Sequence, residues 1–220
     1  KEDQRMSDGY SILVDTSKCT ACRGCQIACK QWNGLPGTKT KNEGTHQNPM
    51  DLSFETYKIV RFAEGAQADG KPYWNFFSEQ CRHCLNPGCM AEAEKGEIIQ
   101  DEKTGAVLFT PKTKSLNFET AREGCPYDIP RQNPKTKEMF KCTMCFDRIT
   151  NNMIPACVKS CPTGAMVFGE RDKILASVKA RVADLKKSYP KAQAINADDV
   201  RVIYVVTEDP KKYWEFAAGR

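Results

Sequence analysis

Histidine is scarce in this 220-residue chain, with 2 residues, so the imidazole that completes many zinc sites is in short supply. No apolar run is long enough to cross a bilayer, in keeping with a mean hydropathy of -0.59. The start, Lys1 to Met6, is polar and no apolar signal-peptide core follows it. A glycine-rich phosphate loop and any Ser/His/Asp constellation are missing too, so no substrate chemistry of the chain's own is evident. A disordered chain is excluded by the 40% hydrophobic content, enough for one large domain or two small ones. What is abundant is cysteine, at 12 residues.

Twelve cysteines can serve disulfides, zinc or iron–sulfur clusters. Disulfide frameworks belong mainly to small secreted domains that lack a core, and this chain is longer than those. Zinc sites usually come as CxxC pairs at a longer interval. The first group here reads Cys19-x2-Cys22-x2-Cys25-x3-Cys29, which is the bacterial ferredoxin run. Three thiolates from one tight turn grip three corners of a cube, while the fourth is carried away on the following helix. Cys81-x2-Cys84-x4-Cys89 is a second triplet with a wider gap, and Cys125 is followed by Pro126 as at the end of such a run. Cys142, Cys145, Cys157 and Cys161 read as a last run with an insertion, closed by Pro162.

In two-cluster ferredoxins the fourth cysteine of each run ligates the other run's cluster. Exchange between the outermost runs gives one set of Cys19, Cys22, Cys25 and Cys161, and a second of Cys29, Cys142, Cys145 and Cys157. The inner groups give a third set of Cys81, Cys84, Cys89 and Cys125. A fourth cluster would need thiols where Ala93, Ser115, Phe118 and Ala121 stand. Three [4Fe-4S] clusters thus consume every cysteine. The pairing is nested and predicts an α+β fold of two bacterial-ferredoxin-like modules. Residues 1–56 with 132–170 form the outer module with two clusters. Residues 57–131 form an inserted module with one, and 171–220 a helix and strand extension.

Local patterns fill in the elements. Tyr10 to Asp15, Tyr57 to Ala63, Tyr73 to Glu79 and Val200 to Val206 read as strands. Glu97 to Asp101 and Ala106 to Thr110 flank a hairpin turn at Gly105. Gly24 to Trp32 is predicted to be the helix that delivers Cys29. Asp172 to Lys187 is an amphipathic helix on Ile174, Leu175, Val178, Val182 and Leu185. Lys211 to Ala218 is predicted to be a short closing helix. Asn33 to Asn48, rich in Gly, Thr and Lys, is a loop, either a solvated excursion or an arm that grips a partner.

The nested layout over roughly residues 10–170 resembles the iron–sulfur subunit of molybdopterin oxidoreductases. Cys29-Lys30-Gln31-Trp32-Asn33-Gly34-Leu35-Pro36, Cys81-Arg82-His83-Cys84 and Cys125-Pro126-Tyr127-Asp128-Ile129-Pro130-Arg131 are most similar to the formate dehydrogenase branch. Most members have four clusters, and membrane-bound ones carry a C-terminal anchor. Three clusters without an anchor resemble the small subunit of soluble periplasmic tungsten or molybdenum formate dehydrogenases of sulfate-reducing bacteria. The resemblance implies a non-catalytic electron-transfer subunit, with the tungsten or molybdenum bis-pterin cofactor confined to a large catalytic partner. Electrons from formate would enter at the Cys19 set, pass to the Cys29 set and leave from the Cys81 set. A soluble c-type cytochrome is the implied acceptor, and the periplasm the implied compartment, reached with the partner's twin-arginine signal. The same role in a thiosulfate, polysulfide or dimethyl sulfoxide reductase is the alternative, as is a free-standing polyferredoxin.

The formal charge of +5 invites a nucleic-acid reading. Each oxidised cube with four thiolates carries about −2, so three bring the loaded protein to about −1 and remove that reading. Lys18, Arg23, Lys30, Arg82 and Lys141 lie beside ligands. Each is open to two roles, raising cluster potentials or solvated surface charge. His83 sits between two ligands, but four cysteines already fill its site. Trp32 and Trp74 are expected to pack in the core or at an interface.

Overall fold

The computed structural model describes residues 9–220, and the polar start lies outside them. Its centre is a four-stranded mixed sheet in the order β8-β1-β10-β9. Strand β1 (Tyr10–Asp15) runs antiparallel to β8 (Met166–Glu170) and parallel to β10 (Val202–Val206), which pairs in turn with β9 (Gln193–Ile195). Both inner strands are near-continuous apolar runs, as strands covered on both faces require. All five residues of β10 are fully buried, each worth about 1.5–3 kcal/mol of apolar burial.

The period of two in a strand divides this sheet between two cores. Ile12, Val14, Val202, Tyr204 and Val206 face one cluster, which includes Cys25, Cys157 and Phe77. Leu13, Ile203 and Val205 face the other, which includes Cys81, Cys125 and Cys142. Helix α5 (Arg171–Leu185) covers the second face through Ile174, Val178 and Leu185. Its stripe follows the helical period read from the sequence. The segment expected to be an appended extension therefore supplies a central strand.

Three hairpins complete the frame. β2 (Ile59–Ala66) pairs with β3 (Pro72–Glu79), β4 (Ile98–Gln100) with β5 (Val107–Phe109), and β6 (Arg131–Gln132) with β7 (Met139–Phe140). Between β4 and β5, Asp101 accepts hydrogen bonds from the Thr104 amide and hydroxyl, and Gly105 takes φ +75°. A side chain on Gly105 would also stand 1.9 Å from Arg201 Nε, so only glycine fits.

The closing helix expected over Lys211 to Ala218 does not form. A single 3₁₀ turn, Pro210–Lys212, is capped by Asp209, and the chain then proceeds by turns. Tertiary anchors override propensity here. The Tyr213 hydroxyl bonds Thr207, the Arg61 guanidinium lies 3.6 Å from the Trp214 ring centre, and the Arg220 amide donates to Pro126. Residues 33–48 form no regular element. Lys30 holds their start through Pro36 and Thr38, and Gln47 holds their end through Phe62 and Met50.

Candidate metal centres

Four short helices deliver half of the thiols. Helix α1 (Gly24–Trp32) carries Cys25 and Cys29 one turn apart on one face. α4 (Ala156–Lys159) packs against α1, carries Cys157 and leads to Cys161. α2 (Phe118–Glu123) leads to Cys125, and α3 (Phe146–Ile149) follows Cys145. In the leading Cys-x-x-Cys loop of three runs the residue two beyond the first cysteine is left-handed: Ala21 at φ +54°, His83 at +47° and Met144 at +58°. The twist turns that residue's amide back on the preceding sulfur. The His83 and Met144 amides each lie 3.4 Å from Sγ of Cys81 and Cys142. Repetition of this strained turn in three runs marks a common construction.

The thiols gather around three cavities. Cys19, Cys22, Cys25 and Cys161 line one, with Val14, Val60 and Ser78. Cys29, Cys142, Cys145 and Cys157 line a second, with Ile12, Lys58 and Gln80. Cys81, Cys84, Cys89 and Cys125 line a third, with Val107, Ile129 and Lys141. All twelve cysteines are free thiols. Among the described residues no Cys, His, Asp or Glu group is tight enough for a single metal ion. Four thiols around a small apolar chamber instead fit a polyatomic iron–sulfur cube. Gln80 Nε2, buried and without a partner in a residue lining the second cavity, offers a donor such a group would use.

The cavities differ in access. The second has four buried thiols, whereas the first includes exposed Cys22 and the third half-buried Cys84 and Cys89. Close approach of backbones shapes the third. A Cβ on Gly88 would stand 2.3 Å from the Gly124 carbonyl oxygen, and these glycines immediately precede Cys89 and Cys125.

Electrostatics follow burial. Desolvation pushes the Cys84 thiol up to about 12 and those of Cys125 and Cys157 up to about 11. The Lys58 charge opposes this rise at Cys19, Cys29, Cys145 and Cys157. Lys141 opposes it at Cys89 and Cys125. Cys161 alone is lowered: burial would raise it, but the Thr163 hydroxyl and three backbone amides outweigh that. Burial alone would lower the Lys58 ammonium, yet the charges at Cys25 and Cys157 hold it above its ordinary range.

The basic residues beside cysteines divide. Lys141 Nζ donates to the Val107 and Cys142 carbonyls, between the second and third cavities. Arg82 lines the third cavity, lies 3.9 Å from the Tyr204 ring centre and donates to Ala217. Lys18 is exposed, Lys30 tethers the loop after α1, and Arg23 donates to the His46 carbonyl. Lys58, fully buried at the second cavity, escaped sequence reasoning because no cysteine adjoins it in the chain.

His83 is buried but does not line the third cavity, and its Nδ1 accepts from the Val107 amide. Burial, then Lys141 and Arg201, hold its pKa well below the usual imidazole value. Trp32 and Trp74 are surface residues, not core. Trp32 donates to Asp147, and Trp74 packs with His46, Phe62 and Phe76. Where a fourth set of thiols would stand, Ala93, Phe118 and Ala121 join Ile98, Leu116 and Met139 in an apolar cluster. Ser115 bonds Glu97 and Lys112 instead. No described helix is long and apolar enough to cross a membrane.

Residues 72–171 match the family model described as a 4Fe-4S dicluster domain. The chain is 52% identical over 218 residues to the formate dehydrogenase subunit beta of Megalodesulfovibrio gigas, covering 97% of this chain and 100% of that protein. It is 51% identical over 213 residues to the formate dehydrogenase 2 subunit beta (cytochrome c-553) of Nitratidesulfovibrio vulgaris Hildenborough, covering 94% and 97%. Against the formate dehydrogenase-O iron-sulfur subunit of Escherichia coli K12 it is 41% identical over 175 residues, covering 79% of this chain and 57% of that one. With identity at this level along nearly its whole length, the chain belongs to the family of formate dehydrogenase beta, or iron–sulfur, subunits.

Proposed function

We propose that this chain is the electron-relay subunit of a formate-oxidising complex, holding three [4Fe-4S] clusters on the three four-cysteine sets. One observation carries the reading: twelve free thiols line three cavities four by four, with the outer two reachable from solvent and the middle one enclosed. A cube ligated by four thiolates takes up and releases single electrons with little rearrangement. An enclosed middle site between two accessible ends suits a path from the Cys19 set through the Cys29 set to the Cys81 set. Two contacts support that order. Ser78, Lys58 and Gln80 connect the first and second cavities, and Lys141 adjoins the second and third.

In this reading formate is oxidised at a tungsten or molybdenum bis-pterin centre in a large partner, and the chain itself binds no substrate. The name of the N. vulgaris relative, which includes cytochrome c-553, supports a c-type cytochrome as acceptor. The β1–β8 ladder, which joins the two halves of the outer module, supports nested modules at 1–56 with 132–170 and at 57–131. The periplasmic location rests on resemblance, and cell fractionation of the assembled complex tests it.

The decisive experiment is chemical and spectroscopic analysis of the purified complex. About four irons and four acid-labile sulfides per set are expected, about twelve of each for this chain. Formate should reduce all three clusters, read by electron paramagnetic resonance. A colourless protein that binds zinc, or clusters that formate leaves oxidised in the complete complex, would overturn the reading.

A further inference from the structure

Lys58 is 1% exposed and makes no ion pair with any carboxylate among the described residues. A buried ammonium in that position is unfavourable unless other negative charge compensates it. Its hydrogen bonds go to neutral acceptors, the Ser78 carbonyl at 3.4 Å and, in close contact, Gln80 Oε1. Those two residues reach opposite ways. The Ser78 hydroxyl lies 3.3 Å from Cys25 Sγ at the first cavity, and Gln80 Oε1 lies 3.9 Å from Cys157 Sγ at the second. Tyr204, in the centre of the sheet, fixes the arrangement by donating its hydroxyl to the same Ser78 carbonyl. A polar bridge one cation long thus spans the wall between two thiol-lined chambers.

We propose that Lys58 is a fixed counter-charge shared by the first two clusters, raising the reduction potentials of both. The assignment rests on the cluster reading above. Reduction of a cube adds one electron and one unit of negative charge, with Lys58 retaining its proton on both sides of the step. A cation fixed in a low-dielectric wall therefore favours the reduced form on either side. Lys58 lines the second cavity, whereas Lys141 is the lysine that lines the third. Lys58 meets no substrate, and its role is to position charge.

The test is a redox titration of the complete complex followed by electron paramagnetic resonance, with signals assigned through single Cys→Ser variants. Lys58→Met should lower the reduction equilibrium constants of the first two clusters at least tenfold, or ~59 mV for one electron. The third should move by a small fraction of that, and iron content should stay at the wild-type level. Lys58→Arg should restore both potentials. Gln80→Glu, which sets a carboxylate against the ammonium, should shift the same two clusters downward. Should Lys58→Met fail to assemble, the contrast between Lys58→Arg and Gln80→Glu decides the matter. Unchanged potentials, or equal shifts in all three clusters of an intact protein, would overturn the proposal. A wild-type protein without three cubes would overturn the cluster reading beneath it.

Discussion

Asp128 holds the loop after Cys125 in place with three cations. Its carboxylate accepts from Arg122 and Arg131 and from Arg220 near the end of the chain. It also occupies a left-handed backbone position at φ +54°, which Asp and Asn tolerate better than most residues. Asp128→Asn therefore keeps the turn and removes the charge. We expect a loss of about 1–3 kcal/mol in unfolding free energy, read by denaturant titration. Burial would raise the Asp128 pKa, but the hydrogen bond from Arg122 and the charges of Arg131 and Arg220 outweigh it and hold it low. Its folded value lies below its unfolded one, so the stabilisation is complete above about pH 4 and is lost as pH falls through the folded value. The variant should lack that part of the acid destabilisation, seen as a smaller drop in thermal midpoint toward pH 3. The cysteines that line the three cavities were legible in the sequence because the ferredoxin runs are local and their spacing is set by one turn. Lys58, Ser78 and Gln80 were not, since their meaning depends on what faces them across the fold.

The same division holds among elements. Helix α5 was readable from its stripe, and β1 and β10 from apolar runs. That β10 pairs parallel with β1 was not readable, because nothing in either strand encodes its neighbour. The expected helix over Lys211 to Ala218 failed for a related reason: Tyr213, Trp214 and Arg220 each answer to a distant partner. Contact between the Gly88 and Gly124 segments gives a sharper test of how elements build a site. Gly88→Ala should force the Cys89 and Cys125 loops apart, since the added methyl would meet the Gly124 carbonyl. On the three-cluster reading proposed above, the expected outcome is loss of one cluster, with iron falling from about twelve to about eight and the other two resonance signals retained.

At the scale of the molecule, the sheet separates two cores and three thiol-lined chambers lie around it. The enclosed middle chamber makes the strongest whole-molecule prediction. On the proposed relay through three clusters, Cys145→Ser should impair the middle cluster and, in the assembled complex, slow formate-driven reduction of the Cys81 cluster by orders of magnitude. The Cys19 cluster should still be reduced at the wild-type rate, and rapid-freeze resonance measurements separate the two. The three-set bookkeeping was visible in cysteine spacing alone, because each set closes without a remainder. The graded access from exposed ends to a buried middle was visible only in three dimensions.

The position of β1 also bears on how the protein is made. Its two neighbours in the sheet, β8 and β10, end at Glu170 and Val206, so β1 leaves the ribosome long before either partner is made. Cys161, which lines the same chamber as Cys19, is made just before β8. Until β8 is made both edges of β1 stand unpaired, and a nascent chain in that state invites pairing with another copy of itself. Closure of the sheet thereby waits until β10 has been made. Truncations that stop short of Val206 should accumulate as aggregates rather than as partly loaded protein.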